Sequence, residues 1–542
     1  MRPSPSRRAS GWFAGTLAFV AAFWLLDLVV LRAGTPDPLD DSWEYGVVAR
    51  ALLGGHGFRT PVIHPPLWTL RDAANTVPVL VHGPLLPILL APILAVFGPG
   101  AFDHLAWLSA LFAGVAAMFV YRLGERAHSQ AAGAAAAGLF TLAPLTINAV
   151  HHDIALTLGA LLLAVALDQL FRKQPHVNRA AIALGLGMLV RPEFVLALPL
   201  LAPVAGASLW RFVLVSLAFT VPWALHTILS TGSPFFNLSS YLLIGYWGTR
   251  PGISVMRDFA LPPAAWPNAL ISALPSLVSK WLNFLPHAVK RFLLTPAGGT
   301  GWLAPLGLLF AVQGPRGRLL ATTSAALSFI PLVIMTVTLY DARYLMPFMA
   351  VFALGAATGA SEMSGWLPGF ARRPRAWMGL LLLMTLPSTG PALHDAWSGA
   401  RDARTRLAAE RAGLLALGAR PPGGPVPVVV SDTPDFVAFT LHRSTLWLTR
   451  AEYDTLPAWD GRGDIATAFH TRLLRTPGDV TWFHAADGRG SALPQVSGAA
   501  SAAGDSLKPE VRHALKPVHG AKSNSHAPHP RPHVSVKRHG RR

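Results

Sequence analysis

The stretch that decides the fold reads DDSWEYGVVARALLGGHGF and runs from Asp40 to Phe58. Three carboxylates, Asp40, Asp41 and Glu44, lie within five residues of a chain in which only 13% of the residues are charged. A carboxylate that is held in a partly dry place can act as a general base. All three acids are therefore candidate catalytic residues.

The residues after these acids predict a short helix. Apolar side chains recur at helical spacing from Trp43 to Leu53, which favours an amphipathic helix that lies on the membrane surface. Asp40 or Asp41 is suited to the N-cap, and Gly54 with Gly55 is suited to end the helix. Two interpretations stay open, a catalytic acid at a helix start and an acid that only caps the helix.

The composition indicates a polytopic membrane protein. Of the 542 residues, 52% are hydrophobic, and the formal net charge of +18 is concentrated in short basic clusters and a basic tail. This distribution indicates membrane topology rather than nucleic-acid binding. The chain contains no cysteine, which excludes disulfides and thiolate zinc sites.

The first apolar segment fixes the expected orientation. Gly11–Leu31 is long enough to cross about 30 Å of hydrocarbon, and the arginines before it should stay in the cytoplasm. The loop from about 32 to 81 then lies outside. Gly83–Phe97 is short and interrupted by prolines, so it is predicted to lie flat as a second surface helix.

The remaining apolar segments predict about eleven crossings in total, if the segment broken at Arg191-Pro192 counts as two. This number keeps the basic clusters near Arg122, Arg172 and Arg316 on the inner side. Residues 230–300 are predicted as a long outer loop. The predicted crossings after the first are Phe102–Tyr121, Ala131–Val150, Ile154–Phe171, Ala180–Val204, Phe212–Leu229, Gly301–Gln313, Leu319–Leu339, Leu345–Ser361 and Trp377–Pro391.

On the outer face this topology collects Asp153 and the arginines Arg191, Arg250 and Arg343 with the first-loop acids. Guanidinium groups bind phosphate oxygens in two places at once, which predicts a lipid-phosphate substrate. The alternatives are a plain N-cap for Asp153, a structural ion pair for Arg191 and interfacial snorkelling for Arg343. Adjacent histidines diverge, so His151 with the next residue is not expected to bind a metal.

Hydropathy falls after about residue 393. A strand at Val426–Val430, a helix at Asp435–Leu441 and a strand at Leu446–Leu448 predict a small α/β domain outside the membrane. The last part is rich in Ala, Ser, Gly, Pro, Lys, Arg and His and predicts disorder. The predicted organisation is a membrane module at 1–393, the small domain at 394–486 and a basic, His-rich tail at 487–542.

Several motifs together resemble those of a known family. The segments Asp41–Tyr45 with Gly54–Phe58, His82–Leu85, Arg191–Glu193 and Arg343–Pro347 are similar, in this order, to motifs of GT-C fold membrane glycosyltransferases. The similar branch includes protein O-mannosyltransferases and the aminoarabinose transferase of lipid A. The resemblance extends from about residue 11 to residue 361.

The resemblance implies transfer of a sugar from a polyprenyl-phosphate carrier to a lipid, glycan or protein acceptor hydroxyl. The reaction would occur at the periplasmic face of the bacterial inner membrane. The residues predict no cofactor and no metal site, and whether a metal ion assists stays open. Asp41 matches the catalytic acid, Asp153 a later acidic position, and Arg191 and Arg343 residues near the carrier phosphate. Ser42 stands where the family often has a second acid, so Asp40 or Glu44 is an alternative acid. A transporter or flippase, or a non-catalytic assembly subunit, remains a competing interpretation.

Overall fold

Helices make up most of the described chain, with short strands between them. The computed structural model describes residues 5–30, 41–234, 236–245, 256–257, 261–295, 314–338, 341–366, 374–418, 428–431, 434–447, 483–484 and 491–492. The helices are α1 (Pro5–Val30), α2 (Ser42–Leu53), α3 (Leu85–Phe97), α4 (Leu105–Ala127), α5 (Gln130–Leu142), α6 (Pro144–His152), α7 (Ile154–Leu170), α8 (Val177–Val190), α9 (Ala197–Leu201), α10 (Leu209–Ala218), α11 (Val221–Thr231), α12 (Tyr241–Gly245), α13 (Trp266–Leu294), α14 (Gly314–Val337), α15 (Met349–Trp366), α16 (Pro374–Gly418) and α17 (Pro434–Leu441). The 3₁₀ turns are Pro65–Leu70, Pro99–His104, Pro192–Leu196, Ala202–Ser208, Leu238–Ser240, Pro263–Ala265 and Ala342–Phe348.

Four runs of helix among the described residues are long and apolar enough to cross a membrane. They are Gly11–Val29, Leu105–Ala127, Pro192–Ala218 and Ala342–Glu362. A fifth is obtained if α5 and α6 count as one span, because they are separated by a bend of 51° at Ala143-Pro144. Helix α3 has 13 residues, about 20 Å, and is shorter than the hydrocarbon layer.

The two ends of the helix bundle differ in chemistry. At one end, called the upper end, α6 ends and α7 begins at Asp153, and α8 ends at Arg191. At the opposite, lower end, Arg126 and Arg172 pair with the fully buried Asp168 near the end of α7. Arg126 and Arg172, which belong to two of the basic clusters predicted to lie inside, are therefore at the opposite end of the bundle from Asp153 and Arg191.

Small residues allow the helices to pack closely in the main core. Ala113, Ala117, Ala136 and Ala164 are fully buried in this core, which also extends over parts of α1, α8 and α15. Small side chains let helix axes approach each other and make close van der Waals contact. A rigid bundle of this kind can hold the residues at its upper end in fixed positions.

A separate core joins the first loop to the terminal part of the chain. Trp43 of α2 is fully buried, and its ring lies 5.6 Å from Phe102, 5.2 Å from Phe436 and 5.1 Å from Phe439. Gly46 is required on α2 because a Cβ atom there would collide with the ring of Phe102. Helix α2 is consequently buried within the protein from Ser42 to Ala49.

Strand pairing makes the same connection. The short strands are β1 (Arg59–Thr60), β2 (Val62–Ile63), β3 (Val77–Pro78), β4 (Val429–Ser431), β5 (Thr445–Trp447), β6 (Phe483–His484) and β7 (Ser491–Ala492). Strands β2, β5 and β4 form a parallel sheet in that order, with Val62 opposite Thr445 and Val429 opposite Thr445. The predicted strand–helix–strand at the terminal part is present as β4, α17 and β5, and it packs against the first loop.

Two stretches differ from what hydropathy suggested. The predicted outer loop at 230–300 contains α13, a helix of 29 residues that includes Pro275 and Pro286. Helix α16 continues for 45 residues to Gly418, across the boundary predicted at 393. The predicted crossing Gly301–Gln313 lies outside the described residues, and of the predicted tail at 487–542 only the two residues of strand β7 are described.

Candidate active site

Two ion pairs between an acid and an arginine form the centre of the upper end. Asp41 Oδ2 lies 3.5 Å from a terminal nitrogen of Arg343, and Asp153 Oδ2 lies 3.6 Å from a terminal nitrogen of Arg191. The four residues come from four separate segments of the chain. The structure thus brings together four of the residues that the sequence singled out.

Asp41 is the residue before α2, but its side chain does not cap the helix. The backbone carbonyl of Asp41 accepts hydrogen bonds from the amides of Glu44 and Tyr45, at 3.1 and 3.4 Å. No side-chain capping hydrogen bond is formed. The carboxylate therefore remains available to Arg343 and to solvent, to which 36% of its side-chain surface is exposed.

Asp153 caps α7, as its sequence position predicted. Its Oδ1 atom accepts hydrogen bonds from the amides of Ala155 and Leu156, at 3.0 and 3.3 Å. The other carboxylate oxygen faces Arg191. The structure therefore shows both the N-cap that was considered for Asp153 and the ion pair that was considered for Arg191.

Each arginine lies between two carboxylates and beside one tyrosine. Arg191 also contacts Glu193 at 2.5 Å, and Arg343 also contacts Asp341 at 3.3 Å. The ring of Tyr344 has its centroid 5.7 Å from the Arg191 guanidinium and 5.8 Å from that of Arg343. Both distances are within the range of a weak cation–π attraction, so Tyr344 adds a common contact to the two cations.

Arg191 lies at an interruption between two helical segments that the sequence predicted. Helix α8 ends at Val190 because Pro192 follows and has no amide hydrogen to continue the helix. Gly83 packs directly against the carbonyl of Leu189, with no room for a Cβ atom. This close approach brings the first loop next to the end of α8.

A third pair, Glu44 with His82, lies next to these ion pairs. His82 Nε2 is 3.0 Å from Glu44 Oε2, and the His82 ring lies 4.7 Å from the ring of Tyr45. Burial alone would lower the pKa of His82, but the charge of Glu44 and its hydrogen bond, with help from Asp41, raise the pKa to about 9. His82 is therefore positively charged at neutral pH.

The surroundings shift the pKa values of Asp41 and Asp153 in opposite directions. Burial would raise the pKa of Asp41, but the charges of Arg343, His82 and Arg191 outweigh it and lower the pKa below its usual value. For Asp153, burial and the nearby charge of Asp41 raise the pKa, although Arg191 opposes them. Attraction by the cations therefore dominates at Asp41. Asp41 is ionised at neutral pH and can accept a proton.

The other sequence candidates have different outcomes. Glu44 is 5% exposed and pairs with His82. Its described ion pair is therefore with His82 and not with Arg191 or Arg343. Asp40 and Arg250 lie outside the described residues. Sequence reasoning did not assign roles to His82, Glu193, Asp341 or Tyr344. The sequence did contain a sign of each residue: Glu193 lies two residues after Arg191, Asp341 and Tyr344 lie within two residues of Arg343, and His82 begins the His82–Leu85 motif.

No metal site is evident in the part of the chain that the structure describes. Within it, no three histidine, aspartate or glutamate side chains are arranged to hold an ion. His151 and His152 diverge as predicted, with ring centroids 6.4 Å apart and ring planes at 65°.

Comparison with known proteins identifies the fold. The sequence profile of the family described as Dolichyl-phosphate-mannose-protein mannosyltransferase matches residues 81–234, a little over a quarter of the chain. This segment includes Asp153 and Arg191. The structure of ArnT from Cupriavidus metallidurans in the apo state superposes with a TM-score of 0.52 at 14% identity, over 86% of this chain and 94% of that chain.

The chain has the GT-C fold. ArnT from the same organism bound to undecaprenyl phosphate is also similar, with a TM-score of 0.50, 14% identity and coverage of 90% of this chain and 98% of that one. The Archaeoglobus fulgidus oligosaccharyltransferase tethered with an acceptor peptide gives a TM-score of 0.52 at 14% identity, over 82% of this chain and 66% of that one. No curated protein matches the sequence. Within the GT-C fold, the mainly helical, multi-pass membrane architecture predicted from the sequence is confirmed.

Proposed function

We propose that the protein transfers a sugar from a polyprenyl-phosphate carrier to an acceptor hydroxyl at the outer face of the bacterial cytoplasmic membrane. The observation that carries this proposal is the double pair Asp41–Arg343 and Asp153–Arg191 at one end of a GT-C fold. Proteins with the same fold have been described bound to undecaprenyl phosphate and tethered with an acceptor peptide.

The two acid–arginine pairs are looser than close charge-assisted hydrogen bonds. Charge-assisted hydrogen bonds to carboxylates are typically about 2.7–2.9 Å long, whereas these acid–arginine contacts measure 3.5 and 3.6 Å. Arg343 is 39% exposed at its side chain, so its free N–H groups are accessible. A phosphate oxygen of the carrier that binds here pairs with the Arg343 guanidinium and takes over part of the role that the Asp41 carboxylate has in this ion pair.

The chemistry is a single displacement. Asp41 takes the proton from the acceptor hydroxyl, and that oxygen forms a bond to the anomeric carbon of the sugar. The bond from this carbon to the carrier phosphate breaks, and its electron pair stays on the phosphate oxygen. Arg343 and Arg191 stabilise the phosphate that leaves, which needs no protonation. The product has inverted configuration at the sugar carbon.

The remaining residues have supporting roles in this proposal. His82, which is positively charged, stabilises the ionised form of Asp41, and Asp153 orients Arg191 while it caps α7. Asp40, which precedes Asp41, and Arg250 remain candidates for the acid and for the carrier phosphate. Glu44 acts through His82 and does not itself take a proton from the acceptor.

The proposed topology has about eleven crossings, with the upper end in the periplasm. The separation of the Arg126–Asp168–Arg172 cluster from the Asp41 end supports it. In this proposal the small α/β domain at 394–486 lies in the periplasm and covers the first loop, and the tail follows from 487. Reporter fusions test the topology: Ser361 is expected to report the cytoplasm and Gly424 the periplasm, and the reverse result at either position contradicts it.

The experiment that tests the function compares a deletion strain with strains that carry the parent gene or the Asp41→Asn variant. Mass spectrometry of envelope glycolipids and glycoproteins should show one sugar missing from an acceptor in the deletion strain. The parent gene should restore this sugar, whereas the variant should not. A carrier-linked sugar that accumulates on the cytoplasmic side of the deletion strain would instead indicate a flippase.

A further inference from the structure

Arg50, in the last turn of α2, connects the first loop to the terminal part of the chain. Its Nη1 atom donates hydrogen bonds to the backbone carbonyl of Phe439, at 2.8 Å, and to Nδ1 of His442, at 2.9 Å. The guanidinium also lies 4.0 Å from the centroid of the Phe439 ring. One side chain thus makes three contacts with a helix end that lies 389 residues later in the chain.

The end of α17 is suited to bind a cation. The last carbonyls of a helix have no amide partner within the helix, and the helix dipole makes this end negative. The carbonyl of Ala438 accepts the amide of His442, whereas that of Phe439 accepts Arg50. His442 has a φ of 55°, in the left-handed region that costs free energy for a residue other than glycine. The hydrogen bond from Arg50 helps to hold His442 in this conformation.

Aromatic packing joins the same two helices at the start of α2. The ring of Trp43, in the first turn, lies 5.2 Å from that of Phe436 and 5.1 Å from that of Phe439. Phe439 therefore contacts α2 in two places, at Trp43 and at Arg50. Helix α17 consequently contacts α2 in both its first and its last turn.

The backbone of Asp41 is continuous with α2. Its φ of −55° and ψ of −17° are helical, and its carbonyl accepts the amides of Glu44 and Tyr45. Its carboxylate makes no capping hydrogen bond, and its contact with Arg343 is 3.5 Å long. The position of this carboxylate is therefore set mainly by the position of α2.

We propose that Arg50 is a positioning residue that holds α17 against α2 and thereby fixes Asp41 for proton transfer. Arg50 does not touch the substrate; it acts through α2. The inference rests on the proposed function for its effect on sugar transfer, but its structural part can be measured without that activity.

The first test uses turnover of the purified full-length protein. Arg50→Met keeps a long side chain over the Phe439 ring but removes the hydrogen-bond donors. We expect kcat for sugar transfer to fall about 10–100-fold, because small displacements of catalytic groups have effects of this size. KM for the carrier-linked donor should stay within about twofold of the parent, because the variant leaves Arg191 and Arg343 in place.

The conservative variant Arg50→Lys refines this test. Lysine keeps a charged donor for the Phe439 carbonyl, so kcat should lie between those of Arg50→Met and the parent. If Arg50→Met keeps the kcat of the parent, or if its loss comes mainly from KM, the positioning role is refuted.

A matched control removes another arginine from the same loop. Arg59, in β1, donates a hydrogen bond to Thr76 at 2.8 Å and pairs with Asp72 at 2.8 Å, and its described hydrogen bonds stay within the first loop. Arg59→Met makes the same change of side chain without a loss of contacts to α17, so kcat and KM should stay within about twofold of the parent. If Arg59→Met loses as much kcat as Arg50→Met, the effect does not depend on α17 and the proposal is overturned.

The second test does not need activity. Amide hydrogen exchange of α2 and of α17, followed by mass spectrometry, reports how easily each helix opens. Both helices should exchange about tenfold faster or more in Arg50→Met, because a charged contact between them is lost, and at the rate of the parent in Arg59→Met.

The exchange rates also separate the possible failures. Unchanged rates in both helices, or a faster rate in α17 alone, would overturn the proposal, since α2 would then be held without α17. If both helices exchange faster as expected but the parent transfers no sugar, the proposed function fails and the structural role of Arg50 stands.

If Arg50→Met does not fold, Arg50→Lys decides. Lysine keeps the charge but lacks the planar group that stacks on the Phe439 ring. Its kcat should still fall at an unchanged KM, and both helices should exchange faster than in the parent. Parent values of kcat and of both exchange rates would refute the proposal.

Discussion

The Glu44–His82 pair gives a prediction whose size follows from the structure. The rise of the His82 pKa from 6.5 to about 9 corresponds to about 3 kcal/mol at 1.36 kcal/mol for each pKa unit. Both side chains are mostly buried, 20% exposed for His82 and 6% for Glu44, so solvent screening is small. Glu44→Gln should therefore lower the free energy of unfolding by up to about 3 kcal/mol.

The pH dependence of this loss has a definite sign. Because the pKa of His82 is higher in the folded state, the stabilisation is complete below pH 6.5 and disappears as pH rises through about 9. The difference between parent and Glu44→Gln should be largest below pH 6.5 and small above pH 9. With an unfolding entropy of about 2.1 cal/mol/K per residue, 3 kcal/mol corresponds to a shift of about 3 °C in a chain of 542 residues.

The assay is thermal unfolding in detergent at several pH values between 6 and 10. A matched control is Glu362→Gln, which removes the carboxylate 3.2 Å from His128, a more exposed pair at the lower end of the bundle. The control should change the melting temperature by less than about 1 °C. A difference between parent and Glu44→Gln that is the same at pH 6 and at pH 9.5 would refute the reasoning.

Three further predictions concern the donor, the terminal part of the chain and the tail. Arg343→Ala should weaken binding of undecaprenyl phosphate about 10–100-fold in a titration, because one charge-assisted contact is lost, whereas the exposed Arg211→Ala should bind as the parent does. Trp43→Ala should destabilise the protein by about 3–5 kcal/mol and expose α17 to limited proteolysis; unchanged proteolysis would contradict the packing described above. Truncation after Gly488 removes the two-residue strand β7 and the tail and should leave turnover unchanged, because the removed residues are poor in large apolar side chains; a folded but inactive truncation would contradict this.

The local features of the site follow from the sequence because each has a local cause. The break at Arg191 comes from Pro192, the end of α2 from Gly54 with Gly55, whose φ is 76°, and the cap of α7 from Asp153. The strand–helix–strand order of β4, α17 and β5 was also visible in apolar patterning. Each of these predictions depends on residues that lie within a few positions of each other.

The features that the sequence did not reveal depend on long-range contacts or on mixed patterns. Strand β2 has two residues and pairs with β5 nearly four hundred residues later, and no local signal marks such a partner. Helix α13 is amphipathic, with Ile271 and Val278 exposed, and it contains Pro275 and Pro286, so it shows no continuous apolar run of the kind that indicates a crossing. The Glu44–His82 pair joins the first turn of α2 to the segment before α3, and no periodic pattern in the sequence marks such a contact.

The central claim is that Asp41 is the base of a sugar transfer, and it can be measured with purified protein and a polyprenyl-phosphate-linked sugar. Asp41→Asn keeps the size of the side chain but removes the proton acceptor. We expect transfer to fall about 10²–10⁴-fold, equivalent to about 3–5 kcal/mol of barrier, with normal folding. Asp72→Asn, an exposed acid of the same loop, should transfer at the rate of the parent. Transfer by Asp41→Asn within a few-fold of the parent would contradict the claim.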